Sequence, residues 1–349
     1  MLGPRDAADR PAPTAPTVPI RQSSMTTLVT GATGLLGNNV ARQLLAGGDR
    51  VRVLVRPQAD SRCLADLPSV EVVHGDVRNG AEVAQATRGA HRVVHAAAYV
   101  HIGWKGLETA RSVNVEGTRN VAQAALAEGA TMVHVSSIDA LGMPRGSEPA
   151  DEETEPAGGV LCPYVVTKRE AEQVVLEHVQ RGLSASIVNP GFMIGPYDWK
   201  PSSGRMLLWV ACGWGLFAPL GINCFCDVRD VAAGIQTALE RGQSGRRYIL
   251  GGHSLSYFQA WRIFAEVTGA TPPLFPIGPL VRRGAGYVGD AVARITGREP
   301  DVNSAATALA AQKRRFTSAR AERELGYAIR PLRESAADAW SWFRQHGYA

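Results

Sequence analysis

The chain has 349 residues, 45% apolar and 20% charged, which is the composition of an ordinary globular protein. Lys and Arg exceed Asp and Glu by 37 − 32 = +5 with no dense basic block, and that balance gives little support to nucleic-acid binding. The five cysteines (Cys63, Cys162, Cys212, Cys224, Cys226) are odd in number and unpaired in spacing, as in a cytoplasmic protein with reduced thiols. The eight histidines show no ligand spacing, so no metal is expected.

Residues 1–24 are rich in Pro, Ala, Thr and Arg without an apolar core, which reads as a disordered tail or an upstream start before Met25 rather than a signal peptide. From Thr26 a short apolar run enters Gly31-x-x-Gly34-x-x-Gly37, and Leu35, Leu36, Val40, Leu44 and Leu45 follow at helical spacing. Strand, tight turn and helix in this order suit a dinucleotide, because glycine lets backbone approach a ligand and a helix N-terminus attracts pyrophosphate. Gly31, Thr33, Gly34, Leu35, Leu36 and Gly37 are therefore candidate cofactor contacts.

Val51–Val55 reads as the second strand and ends at Arg56, with no Asp or Glu. An acidic residue there would hold a ribose 2′-hydroxyl, whereas arginine pairs with a 2′-phosphate. NADP(H) is the expected cofactor, with NAD(H) left open. Val70–Asp76 is the third strand and Arg92–Ala98 the fourth, where the small residues Ala96, Ala97 and Ala98 allow a cofactor close to the backbone. Asn114 lies near the start of the next helix, and Met132–Gly142 forms the fifth strand and its exit. Pro163 opens a helix that carries Tyr164 and Lys168 on one face. Ser186–Gly191 is the sixth strand. The helix Val228–Glu240 and strand Arg247–Leu250 follow a glycine-broken apolar segment, and residues 256–349 are mostly helical. Gln312–Arg315 reads as a solvated helix face.

Tyr164, Lys168 and Ser137 make a set with a mechanism. A phenol near pKa ~10 is a slow proton shuttle at neutral pH, and a neighbouring ammonium would favour the phenolate. Ser137 would hold the substrate oxygen against Tyr164. The whole pattern, with the glycine loop about 130 residues upstream and Asn189-Pro190 downstream, resembles the extended short-chain dehydrogenases/reductases. The resemblance spans about 25–349, is specific over 26–196, and returns in Phe316–Gly326. It implies a Rossmann-type α/β fold, a doubly wound parallel sheet with a smaller, mainly helical C-terminal substrate lobe. The implied boundaries are 25–190 for the cofactor domain and 191–349 for the lobe, with the chain re-entering the core around 226–252.

The resemblance also implies roles. Asp76, followed by Val77, would contact adenine; Asn114 would support Lys168 through backbone and water; Asn189 and Pro190 would join the cofactor contacts; Ser137, five residues before Gly142, would be the catalytic hydroxyl instead of Ser136. Sugar-nucleotide dehydratases carry Asp-Glu after that hydroxyl, whereas this chain has Ile138-Asp139, so dehydration is not expected and Asp139 reads as a turn residue. The loop through Gly142 looks like that of 3β-hydroxysteroid dehydrogenases, Val51–Arg56 like dihydroflavonol reductases, and the C-terminal half like hopanoid-associated sugar epimerases.

Between Arg205 and Asp227 there is no charge, but there are Trp209, Trp214, Phe217 and Phe225. Such a stretch suits an apolar ketone, with packing or a dimer face as the equal alternative; its glycines and proline argue against a transmembrane helix. Arg205 and Arg229 border it as candidate phosphate ligands. Tyr99, Trp104, Asp139, Phe192, Met193, Arg205 and Trp209 are the candidate substrate-pocket residues, with His101 at the rim. The expectation is an NADP-dependent oxidoreductase of a small, fairly apolar molecule. A nucleotide-sugar epimerase with tightly held NAD and a non-catalytic NADP-binding sensor or scaffold are the alternatives. A homodimer is an expectation of the resemblance alone.

Overall fold

The structure is a computed structural model that describes residues 25–349 apart from 145, 147, 157 and 158; the leader 1–24 lies outside the described residues. The strands are β1 (Thr26–Thr30), β2 (Arg50–Val55), β3 (Glu71–His74), β4 (Arg92–His95), β5 (Thr131–Val135), β6 (Ala185–Pro190), β7 (Phe192–Ile194), β8 (Phe217–Ala218), β9 (Ile222–Asp227), β10 (Arg247–Leu250), β11 (His253–Ser256) and β12 (Phe275–Pro276). The α-helices are α1 (Leu35–Ala46), α2 (Gly80–Thr87), α3 (Leu107–Ala110), α4 (Gly117–Ala127), α5 (Pro163–Gln180), α6 (Arg205–Ala211), α7 (Val228–Arg241), α8 (Tyr257–Thr268), α9 (Pro279–Thr296), α10 (Ser304–Leu309), α11 (Ala319–Leu325) and α12 (Leu332–Gln345).

Seven parallel strands form one sheet in the order β10-β6-β5-β4-β1-β2-β3. Apolar runs such as Leu28-Val29 and Val93-Val94 are fully buried because helices cover both faces. On one face α1 brings Leu36, Val40 and Leu44 against α7 and the sheet. On the other, Val121, Ala125 and Val175 of α4 and α5 pack on Leu28, Val93 and Met132. The chain order runs outward in opposite directions from β1 and β4. A crevice therefore opens at their carboxyl ends, where ligands bind in doubly wound sheets.

After β6 the chain leaves the sheet. β7, β9 and β11 form a second, three-stranded sheet, and β9 leads straight into α7, which returns to the main core. α6, α8 and α12 close a separate core around Phe225, Phe264, Trp342 and Phe343. The apolar stretch after Arg205 is thus split into α6, a 3₁₀ turn (Trp214–Leu216), β8 and β9, and among the described residues no helix is long and apolar enough to cross a membrane.

Two sequence expectations change. The helix carrying Asn114 begins seven residues earlier, at Leu107, and runs through a π-helical turn (Arg111–Glu116) into α4. Single π turns inside α-helices concentrate at functional sites. Gln312–Arg315 is not a helix face: it is an extended link between α10 and α11, in which Arg314 is buried. A run of like charges carries no sign of which member will find a buried partner.

Candidate active site

β1 delivers the chain to Gly31 in a left-handed conformation (φ 76°). A Cβ there would stand 2.6 Å from the backbone of Ala96, and one at Gly37 would stand 2.3 Å from the Gly31 carbonyl oxygen. Both glycines are required by backbone contact within the fold. Gly34 differs: a Cβ would meet only ordinary contact, at 3.4 Å. It is the exposed N-cap of α1, with no side-chain cap and no acidic residue in the first turn. Those N–H groups and that open space fit a dinucleotide pyrophosphate. Leu35 and Leu36 send their side chains into the core, so only their backbone can reach a cofactor. Thr33 is half-buried in the loop.

Arg56 is exposed at the end of β2. Its charge favours the Asp76 carboxylate, although the Arg78 guanidinium is the main reason that carboxyl lies below its usual range. Arg78 grips Asp76 with Nε at 3.0 Å and a terminal nitrogen at 2.7 Å. Val77 is buried, and its carbonyl accepts from Asn120 at 2.9 Å. Ala96, Ala97 and Ala98 line the opening beyond β4, half-buried.

Ser137 follows β5 and caps a short 3₁₀ turn, its Oγ accepting from the Asp139 N–H at 3.1 Å. Ser136 is buried, and its hydroxyl has no protein partner. Tyr164 and Lys168 lie one turn apart on α5. The expectation that Lys168 draws the phenol down is not what the electrostatics give. Burial, then the Asp139 charge, push the Tyr164 phenol above its ordinary value, while the Ser137 hydroxyl and the Arg314 guanidinium pull it back. Lys168 Nζ donates to the Val135 carbonyl at 2.8 Å. Burial brings its own pKa down to about 8, against the opposing carboxylate of Glu172.

The supporting network is larger than the sequence suggested. Asn114 is buried; its Oδ1 accepts from the Tyr99 N–H at 2.7 Å, and its Nδ2 donates to the Tyr99 carbonyl and to Thr167 Oγ1 at 3.1 and 3.0 Å. The side chain therefore clamps the irregular segment that follows Ala96–Ala98. Thr118, one turn on, donates to the Asn114 carbonyl at 2.6 Å, so it accepts from His95 Nε2 at 3.0 Å. His95 Nδ1 then accepts from Thr30 Oγ1 at 2.8 Å. Burial holds His95 neutral, lowering its pKa to about 3. Asn189 is fully buried; its Nδ2 bonds the Ser137 carbonyl at 2.9 Å and Glu172 at 2.8 Å, which makes it a support for the Ser137 turn. Pro190 ends β6 in register with Leu250. Glu172 also binds Arg247 at 2.7 Å. Its position one turn beyond Lys168 was a readable signal; Arg314 and His95 offered none.

Asp139 proves to be more than a turn residue. Arg314 donates to its Oδ1 at 2.7 Å and to the Tyr257 hydroxyl at 3.2 Å, with both ends of the ion pair largely buried. A narrow slot beside Asp139 is walled by Val160, Val165, Leu309 and Gln312. Tyr99 and His101 lead to a latch. His101 Nε2 lies 2.7 Å from Glu299, which also accepts the Trp104 and Lys105 N–H groups. Burial works against the Glu299 carboxylate, but these donors outweigh it and hold its pKa below the usual range. Trp104 bonds Ser304, and its ring is half exposed. Phe192 packs edge-on to Phe225, and Met193 rests on the main core. Arg205 is paired with Asp301, and Trp209 is exposed on α6.

The chain matches the NAD dependent epimerase/dehydratase family over residues 27–251. It is 37% identical over 329 residues to the sterol demethylase protein B of Methylococcus capsulatus, covering 93% of this chain and 99% of that one. It is 34% identical to a putative dihydroflavonol 4-reductase of Synechocystis, covering 92% and 95%. Among solved structures, gox2253 superposes with a TM-score of 0.81 at 39% identity, over 92% of this chain and 98% of that one.

Proposed function

Because the chain belongs to the NAD-dependent epimerase/dehydratase family of oxidoreductases, we propose that it is an NADP-dependent enzyme interconverting a carbonyl and a hydroxyl on a steroid-, flavonoid- or lipid-like molecule. The observation that carries the substrate class is the fate of the two arginines bordering the apolar stretch. Arg205 is paired with Asp301, and Arg229 is held by Asp227 at 2.8 Å and Asp338 at 2.7 Å. A sugar diphosphate needs unspent cations in its pocket, and these are already neutralised. The names of the sterol demethylase and dihydroflavonol reductase relatives support the same polycyclic, apolar chemistry.

When bound, the cofactor exchanges a hydride with the substrate carbon. Gly31, Gly34 and the first turn of α1 would hold its pyrophosphate, Lys168 its nicotinamide ribose, and Arg56 a 2′-phosphate. The Ser137 hydroxyl positions the substrate oxygen, and the Tyr164 phenol gives that oxygen its proton. Burial and Asp139 keep the phenol protonated at neutral pH, which is the form that carbonyl reduction requires.

The test is to titrate the purified protein with NADPH and NADH, then offer a 3-ketosteroid and, separately, UDP-glucose. Tighter NADPH binding, lost in Arg56→Glu, and ketone-dependent NADPH oxidation are expected. Retained NAD⁺ with turnover of the sugar nucleotide would sink the proposal.

A further inference from the structure

Helix α9 is built the wrong way round for a core element. Its packed face consists of Gly286, Gly289 and Ala293, set against α10 and the segment before it. A Cβ at Gly289 would fall 1.9 Å from the Val302 carbonyl oxygen, so only glycine permits that approach. The large apolar side chains all point outward: Leu280 is 81% exposed, Val281 69%, Tyr287 67%, Val288 65%, Val292 41% and Ile295 86%. At 3.6 residues per turn they occupy one continuous face of about 140°, opposite the glycines. The face is extended along the chain by exposed Leu274 and by Phe275, four residues before the helix starts, which stacks on exposed Phe217 at 6.4 Å.

Soluble chains seldom leave so much contiguous apolar surface bare without an interaction to make. The charge around it says of what kind. Residues 279–298 contain Arg282, Arg283, Arg294 and Arg298 against the single acid Asp290. Asp290 is used internally, accepting from the Ser304 N–H at 3.0 Å, and Arg282 donates to the Thr307 carbonyl. Arg283 and Arg294 are exposed along one border of the apolar face, and Arg298 is exposed just past the helix end. A second copy packed antiparallel on this face would bring its arginine border against the first copy's. An anionic lipid surface satisfies both features at once, accepting the apolar face below its headgroups and pairing phosphates with the arginines.

We propose that α9, with Phe217 and Phe275, docks the protein peripherally on anionic membranes. The inference uses no assumption about the reaction, and its test contains neither substrate nor cofactor, so it stands or falls separately from the proposed activity. Full-length protein is floated with phosphatidylcholine vesicles, with and without phosphatidylglycerol. Wild type rises with the phosphatidylglycerol vesicles, and salt weakens the association. Arg283→Gln and Arg294→Gln each weaken it roughly fivefold. Val288→Glu/Ile295→Glu abolishes it while leaving the melting temperature in place, since both side chains are solvent-exposed. The proposal is overturned if wild type stays unbound at every composition, or if the double variant floats as well as wild type. Light scattering adds a third overturning outcome: a dimer that Val288→Glu/Ile295→Glu splits into monomers would make this face a self-interface.

Discussion

Helices α1 and α9 are both amphipathic, and they use that property in opposite senses. α1 turns Leu36, Val40 and Leu44 into the core and leaves polar residues such as Arg42 and Gln43 nearer the surface. α9 turns glycine and alanine inward and holds leucine, valine, tyrosine and isoleucine in solvent. The same periodicity therefore marks the inner face in one helix and the outer face in the other. Amphipathicity identifies a helix that has two faces; which of them is buried depends on the neighbour. β1, β2 and α7 give α1 an apolar wall, whereas α10 and Val302 give α9 backbone at a distance only glycine allows.

The sharpest contrast is chemical. Tyr164→Phe, in the buried half, is expected to lower kcat by about 10²–10⁴-fold, because the group that moves the proton is gone. Steady-state turnover under saturating cofactor reads this directly, and an unchanged rate would remove Tyr164 from the mechanism.

Truncation tests the packing side of the comparison. Leu44→Ala in α1 should cost about 2–5 kcal/mol, the range for emptying a well-packed core site. Ile295→Ala in α9 should change stability by less than about 0.5 kcal/mol, as at an ordinary surface position. Urea unfolding of the two variants gives both numbers. Equal losses would mean that α9 is covered in solution.

A pH-dependent effect concerns Lys168, the charge the buried half tolerates. Burial lowers its pKa from 10.5 to about 8 in the folded chain. Below pH 8 both folded and unfolded chains hold the proton, and the full cost of burying the charge is present. Between about 8 and 10.5 the unfolded chain binds more protons, so this residue makes stability rise with pH; above that window the cost is gone. Lys168→Met removes the term. The stability of wild type relative to the variant should climb by about 3 kcal/mol across that window, and a flat difference would contradict the buried ammonium.

Much of the cofactor half was legible because its constraints are local. Gly31 and Gly37 are dictated by backbone distances inside one strand-turn-helix unit, and the spacing of Tyr164 and Lys168 is one helical turn. The strand at Arg247–Leu250 could be read from its residues, and it lies at the edge of the main sheet beside β6. Less visible was everything that depends on a partner far along the chain. Asp139 looked like a turn residue until Arg314, 175 positions away, came to lie 2.7 Å from it. The helix of Asn114 begins earlier than its residues suggest, and nothing in its sequence announces a π turn.

The sequence by itself determined the order of the main-sheet strands and the helices between them, the glycine turn between β1 and α1, and the one-turn spacing of Tyr164 and Lys168. These follow from periodicity, dihedral limits and side-chain chemistry within a few residues. Tertiary structure alone decided that Asp139, and not Lys168, dominates the charge felt by Tyr164, that Arg205 and Arg229 are already paired, and that the apolar face of α9 looks outward. Each of those depends on burial and on distances between distant segments, and charge interactions and packing are set by distance in space, which spacing along the chain does not contain.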